Sequence, residues 1–226
     1  LAYREEAWAV LEEYAGRSGA TTLLDAATVV ARFPAVNPEG LRGALYSQEE
    51  CVVHPPSTIA ALTDYAKRLG VTLHVGRPVV RVLDDAVETS DGERLPFDHL
   101  VIAAGAEMRL LFPAALADAQ VQPCRLQMMR TPPQPDGFDL GAVLVSDLTL
   151  CHYPAFRDCP STPALRARLE AELPHHHDWG VHVIVAQHDD GSIVLGDSHE
   201  YGVDFAPESH AGVEGLILDA MAAFVT

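Results

Sequence analysis

The spacing of apolar positions changes period several times along the chain. In residues 1–15, Trp8, Leu11 and Ala15 recur at helical spacing while Glu5, Glu6, Glu12 and Glu13 turn toward water, which predicts an amphipathic acidic helix. Asp25 is placed to cap a second short helix that ends before Pro34. Residues 38–53 read as loop. Ser57 then reads as the N-cap of a helix that buries Ile59, Leu62, Ala66 and Leu69 and stops at Gly70. Strands are expected over 71–75 and 79–83, then a hairpin turned at Asp91-Gly92 and a closing strand running from His99 to Gly105.

Beyond Gly105 the period of two dominates. Strands are expected over 122–131, 142–145, 148–153, 180–187 and 192–196, with a turn at His188-Asp-Asp-Gly191 between the last two. A helix over about 163–173 interrupts them, and 213–224 starts another. Antiparallel strands with helices laid across them indicate an α+β layer, and residues 54–112 carry an α/β-like pattern of their own. The expected division is therefore 1–53, a helical segment; 54–112, an α/β-like unit; 113–212, an antiparallel domain; and 213–226, the start of a helix.

Composition narrows the classes. The chain has 226 residues, 48% of them hydrophobic, and no apolar run of membrane-spanning length. Its formal net charge of −17 repels phosphate backbones and anionic lipid, so neither nucleic acid nor a membrane is expected as a partner. The start is an acidic helix rather than a basic region followed by an apolar one, so no signal peptide is read there. Cys51, Cys124, Cys151 and Cys159 show no C-x-x-C pair, which favours buried reduced thiols and a cytoplasmic protein.

Several blocks carry a resemblance. Residues 70–105 follow the order of the strands that lie beside the dinucleotide-binding unit in FAD oxidoreductases of the glutathione-reductase type. This resemblance implies that 54–112 is the remnant of an FAD-binding domain and that 113–212 is a substrate domain begun by 1–53. Gly43-Ala-Leu-Tyr46, Pro78-Val-Val-Arg-Val82 and Val101-Ile-Ala-Ala-Gly105 resemble the FAD-dependent amine and D-amino-acid oxidases, the family of glycine oxidase and sarcosine oxidase. Four later blocks resemble the subgroup associated with aminophosphonate breakdown. They are Cys124-Arg-Leu-Gln-Met-Met-Arg-Thr131, Leu148-Thr-Leu-Cys-His-Tyr153, Trp179-Gly-Val-His182 and Gly196-Asp-Ser-His-Glu-Tyr-Gly202. The G-x-G-x-x-G turn that cradles pyrophosphate in that family occurs nowhere in the chain. The resemblance places it upstream of Leu1, and the flavin-covering segment downstream of Thr226, which reads the chain as a fragment.

The resemblance implies FAD as cofactor, held by the main chain at Val79 and by the turn Ala103-Ala104-Gly105. It implies a small amine as substrate. Arg130 is the candidate clamp for a carboxylate or phosphonate, because a planar guanidinium meets two oxygens at once; a solvated strand-end arginine is the alternative. His152, Tyr153, His182, His199 and Tyr201 could line the same cavity, or each could be structural. Gln127 and Met129 share one strand face, Met128 and Arg130 the other.

No catalytic acid or base is assigned, because the cofactor carries the hydride chemistry. No metal is expected: adjacent histidines such as His175-His176-His177 diverge, and a solvated turn is expected there. Gly196-Asp-Ser198-His199 lacks the strand-to-helix turn of a serine nucleophile. The implied activity is oxidation of the C–N bond of a small amine or amino acid, which the subgroup resemblance makes aminoethylphosphonate-like, to an imine and then to an aldehyde or keto acid. The alternative is a cofactor-free binding module, or a decayed fragment, derived from such an oxidase. An NAD-dependent dehydrogenase lacks its fingerprint here.

Overall fold

A computed structural model describes residues 1–17, 19–202 and 204–226. The chain divides into two compact units. The larger, residues 1–54, 124–200 and 204–226, contains α1 (Glu5–Ala15), β1 (Thr21–Asp25), α2 (Ala26–Arg32) and β2 (Gly43–Ser47). The smaller, mainly residues 55–123, contains α3 (Pro55–Arg68), β3 (Val79–Val82), β4 (Ala86–Thr89), β5 (Arg94–Pro96), α4 (Met108–Leu111) and α5 (Pro113–Asp118). The chain then returns to the larger unit through β6 (Cys124–Pro133), β7 (Leu144–Val145), α6 (Thr162–Glu172), α7 (Pro174–Asp178), β8 (Ile184–Gln187), β9 (Ser192–Tyr201) and α8 (Ala211–Ala222). The mixed fold with antiparallel sheets is the one expected.

In the larger unit, β1 and β2 pair antiparallel, and a four-stranded sheet has the order β6-β9-β8-β7. One core lies between that sheet and two helices: Leu144, Val183, Val185, Ile193 and Leu195 meet Val29 of α2 and Val213 and Ile217 of α8. A second core packs α1 on α6 through Val10, Leu11, Leu165 and Leu169. Local signals place these helices. Glu5 and Glu6 sit at the positive end of α1, and the Asp25 carboxylate accepts from the Thr28 N–H (2.8 Å), capping α2. Arg4 bridges Asp147 and Glu172, both at 2.9 Å, and so fastens the start of α1 to the segment before α6 and to the end of α6.

In the smaller unit, β3, β4 and β5 form an antiparallel meander, with the β4–β5 hairpin turned at Asp91-Gly92 as expected. Gly70 ends α3 at φ +88°: its N–H reaches Lys67 O (3.0 Å) and the Val71 N–H reaches Ala66 O (3.1 Å). That bond pattern needs a left-handed residue.

Several expectations are corrected. Residues 43–47 are a strand rather than loop, stabilised by register with β1 from Asp25↔Gly43 to Thr21↔Ser47. Residues 148–153 are not a strand. Asp147–Cys151 forms a 3-10 turn, in which the Thr149 hydroxyl donates to Ser146 O (2.5 Å) and draws the backbone into i→i+3 bonding. Residues 71–75 and 99–104 carry apolar residues of strand type but form no ladder, since no partner strand lies beside them among the described residues. Ser57 lies inside α3, which begins two residues earlier at Pro55, and Ile59, Leu62 and Leu69 are exposed instead of buried. Of the four cysteines Cys159 is buried and Cys151 half-buried, but Cys51 and Cys124 are exposed; all four are free thiols.

Candidate functional site

The four-stranded sheet turns one face to its core and one outward. β8 and β9 pair regularly from Gln187↔Ile193 to Ile184↔Gly196. The next pair is His182 with Asp197, joined by main-chain bonds of 3.1 and 2.8 Å. Here one strand advances two residues while the other advances one. Regular continuation from buried Leu195 would turn Asp197 and His199 into the core; the slip turns both outward, onto the face of His182.

Two clips complete the cluster. The Ser146 N–H donates to Val183 O (2.9 Å) and the Val183 N–H donates to Ser146 Oγ (3.2 Å), so the 3-10 turn at 147–151 is pinned next to His182. His152 leaves that turn with its ring stacked on His182, centroids 4.0 Å apart, and 4.5 Å from His199. Tyr153 stands edge-on to His152 at 5.2 Å. The His199 Nδ1 lies 3.2 Å from Gly180 O. A carbonyl only accepts, so Nδ1 is the donor of this bond. Gly180 permits the approach: a Cβ there would stand 3.0 Å from His199 Cβ.

The result is a polar cluster buried at His182 and open to solvent at His152 and Tyr153. The His182 side chain is 5% exposed, and Asp197 Oδ1 lies 3.3 Å from His182 Nε2. Both ring nitrogens of His182 and Oδ1 of Asp197 are buried with no hydrogen-bond partner. Burial, aided by repulsion from His152 and His199, pushes the His182 imidazole down to about 3, so it is neutral at physiological pH. Burial also lowers His152, with His199 adding to the shift. Burial raises the Asp197 carboxyl above its ordinary range, against the pull of His199 and His152. Tyr153 is raised by burial and then by the charges of Asp197 and Glu50. A cleft of about 220 Å³ opens beside the cluster, lined in part by Cys151, His152, Arg166, Gly180 and His182.

Of the residues singled out from sequence, His152, Tyr153, His182 and His199 come together. Arg130 stands elsewhere. On β6 its Nε donates to Ser192 Oγ (3.0 Å) and its guanidinium pairs with Asp190 of the β8–β9 turn. Thr131 abuts Ile193, which sets Arg130 near Val194. His199 is five residues further along β9, about 16 Å at roughly 3.3 Å per residue. Tyr201 lies at the exposed end of β9. As expected, Gln127 and Met129 share the half-buried face of β6 while Met128 and Arg130 point out. His175–His177 fall in α7 rather than a turn, and His176 is buried against Leu216 O (3.0 Å). Sequence reasoning missed Asp197. Its position two residues before His199 on one strand was the available signal.

Val79 opens β3, half-buried and paired with Thr89. Ala103, Ala104 and Gly105 lead into a 3-10 turn at Gly105–Glu107; all three are exposed, and Gly105 (φ +54°) has open space where a Cβ would stand.

The sequence profile described as "FAD dependent oxidoreductase" matches residues 1–225. The chain belongs to the FAD-dependent oxidoreductase family. Solved structures share its fold. Glycine oxidase from Bacillus cereus aligns at TM-score 0.66 and 15% identity, covering 99% of this chain and 54% of that one. Glycine oxidase from Geobacillus kaustophilus aligns at 0.60 and 15%, covering 94% and 48%. L-Proline dehydrogenase from P. horikoshii aligns at 0.69 and 17%, covering 100% and 56%. The chain thus spans about half the length of these neighbours. No curated protein sequence matches it.

Proposed function

We propose that the protein of which this chain forms part oxidises the C–N bond of a small amine or amino acid to an imine. Water then adds to release an aldehyde or keto acid and the amine or ammonia. The observation that carries this reading is the outer face of the four-stranded sheet. Exposed Leu126 and Met128 make an apolar wall, and His152, Tyr153, His182 and His199 make a polar pole at its end. A wall with a few convergent polar groups suits a small zwitterion. Family membership and the amino-acid names of the structural neighbours point the same way.

FAD, when bound, accepts the hydride lost from carbon, and oxygen or another acceptor returns it to the oxidised state. The chain's own residues bind and orient. The polar pole offers imidazole and phenol donors to the anionic end of the substrate, and Leu126 and Met128 exclude water beside the reacting carbon. Val79 and Ala103–Gly105 are the cofactor contacts on this chain. The substrate we favour is an aminoethylphosphonate-like zwitterion, supported by the four sequence blocks that furnish Arg130, His152, Tyr153, His182, His199 and Tyr201.

The complete protein, loaded with FAD under anaerobic conditions, provides the test. Bleaching of the flavin by 2-aminoethylphosphonate or its N-methyl derivative faster than by glycine or proline supports the reading in full. Bleaching by amino acids alone keeps the amine oxidase and removes the phosphonate. No bleaching by any small amine overturns both.

A further inference from the structure

We propose that His152, His182 and His199, with Asp197, form a binding site for one divalent transition-metal ion. The three histidines come from a turn, the segment before β8 and β9. They offer ligating nitrogens that all lie within 4.8 Å of one another. Tetrahedral ligands at about 2.0–2.1 Å from zinc are roughly 3.3 Å apart, so small side-chain rotations bring the nitrogens to that spacing. The Asp197 Oδ1 to His182 Nε2 separation of 3.3 Å already has it.

Two further observations point to a cation. His182, with 95% of its side chain buried, has both ring nitrogens unpartnered, and the Asp197 Oδ1 facing it is equally unpartnered. Native proteins rarely leave such atoms unsatisfied, and one shared cation would satisfy Asp197 and a nitrogen of His182 together. The His199 Nδ1 lies 3.2 Å from Gly180 O and 3.9 Å from Asp197 Oδ1, so a main-chain carbonyl holds this ring against the cluster, as outer contacts do for metal-binding imidazoles. Burial keeps the His182 imidazole neutral, as ligation requires, and lowers His152 in the same direction. Three histidines with one carboxylate suit Zn²⁺ or Fe²⁺ over Ca²⁺ or Mg²⁺, which prefer oxygen. The exposed side, at His152, leaves a coordination position for water or for an anionic substrate group. A cation there would supply the positive charge that Arg130 has committed to Asp190.

The test uses the complete protein, stripped with chelator and titrated with Zn²⁺ by calorimetry and with Co²⁺ by visible absorption; flavin content and flavin reduction are measured separately. A failed oxidase reading therefore leaves the metal result intact, and the reverse. One equivalent is expected for the wild type. His182→Ala/His199→Ala should weaken binding by about 100-fold or more, and Asp197→Asn by about 10-fold. The more exposed His152→Ala, whose fold is easily checked, should abolish the Co²⁺ spectrum of a three-histidine site. Replacing exposed His175 and His177 by Ala should change nothing. Undiminished binding in both the His152 and the His182/His199 variants overturns the site, as does loss of binding in the His175/His177 variant.

Discussion

The two units answer the same sequence signal in opposite ways. In the larger unit the apolar positions of α1 and α6 meet: Val10 and Leu165 are 0% exposed. In the smaller unit α3 has as clear an apolar stripe, yet Ile59, Leu62 and Leu69 are 58–67% exposed, and Val75 and Val101 nearly 90%. Both stripes are amphipathic by the same spacing. The difference shows that hydrophobic periodicity states which face needs cover, while burial also depends on a second surface being present.

Four experiments break or sharpen that contrast. The largest effect is expected from Asp147→Ala in the larger unit. It leaves the half-buried Arg4 without its two-bond partner and should cost about 3–5 kcal/mol in chemical denaturation. Its counterpart in the smaller unit, Lys67→Ala, removes only an exposed pair with Asp64 and should cost no more than about 0.5 kcal/mol. Next, Leu165→Ala should cost about 3 kcal/mol through cavity formation, whereas Leu62→Ala should stay within about 0.5 kcal/mol. Equal losses for the two leucines would mean that α3 is covered in solution.

The third concerns pH. His182 is held near 3 in the fold and near 6.5 when unfolded, so the unfolded state takes up the proton first. Its contribution is intact above about pH 6.5 and falls by roughly 1.4 kcal/mol per unit as pH drops toward 3. Asp197, raised in the fold, has the opposite sign: it favours the folded state at low pH and loses that contribution as pH rises from about 4 through its folded value. Stability at pH 5 against pH 7.5 should therefore fall by about 2 kcal/mol more in the wild type than in His182→Asn, read from melting curves. The smallest effect is Arg130→Ala. Its exposed pair with Asp190 should contribute less than about 0.5 kcal/mol to stability. If Arg130 also clamps an anion, KM rises while the melting temperature stays put.

How far the sequence could be read follows the same division. The Asp25 cap, the Gly70 stop, the hairpin at Asp91-Gly92 and the alternation along 124–133 were legible because each rests on neighbours in the chain. The strand at 43–47 was missed because only pairing with residues 21–25 makes it one. The 3-10 turn at 147–151 was misread as a strand because Leu148, Leu150 and His152 alternate correctly for one. What bends the chain there is the bond from Thr149 to Ser146 O. His152, His182 and His199 could be named from sequence but not assembled. Asp197 was passed over because it lies just past the strand read over 192–196, and only the slipped pairing with His182 brings it to the cluster.

The clip between Ser146 and Val183 also has a consequence in time. The cluster's three histidines belong to segments far apart in the chain, and each is positioned by a contact made elsewhere: the clip, the His182–Asp197 pair, the Gly180–His199 bond. None of these contacts exists before β8 and β9 have zipped and the turn has docked on them. The β8–β9 hairpin closes over a short turn, whereas the clip joins residues 37 apart and so carries the larger cost of loop closure. A chain stalled short of that step would hold three independent, solvated imidazoles. The titration of His182, driven from near 6.5 to about 3, would then follow the final stage of maturation.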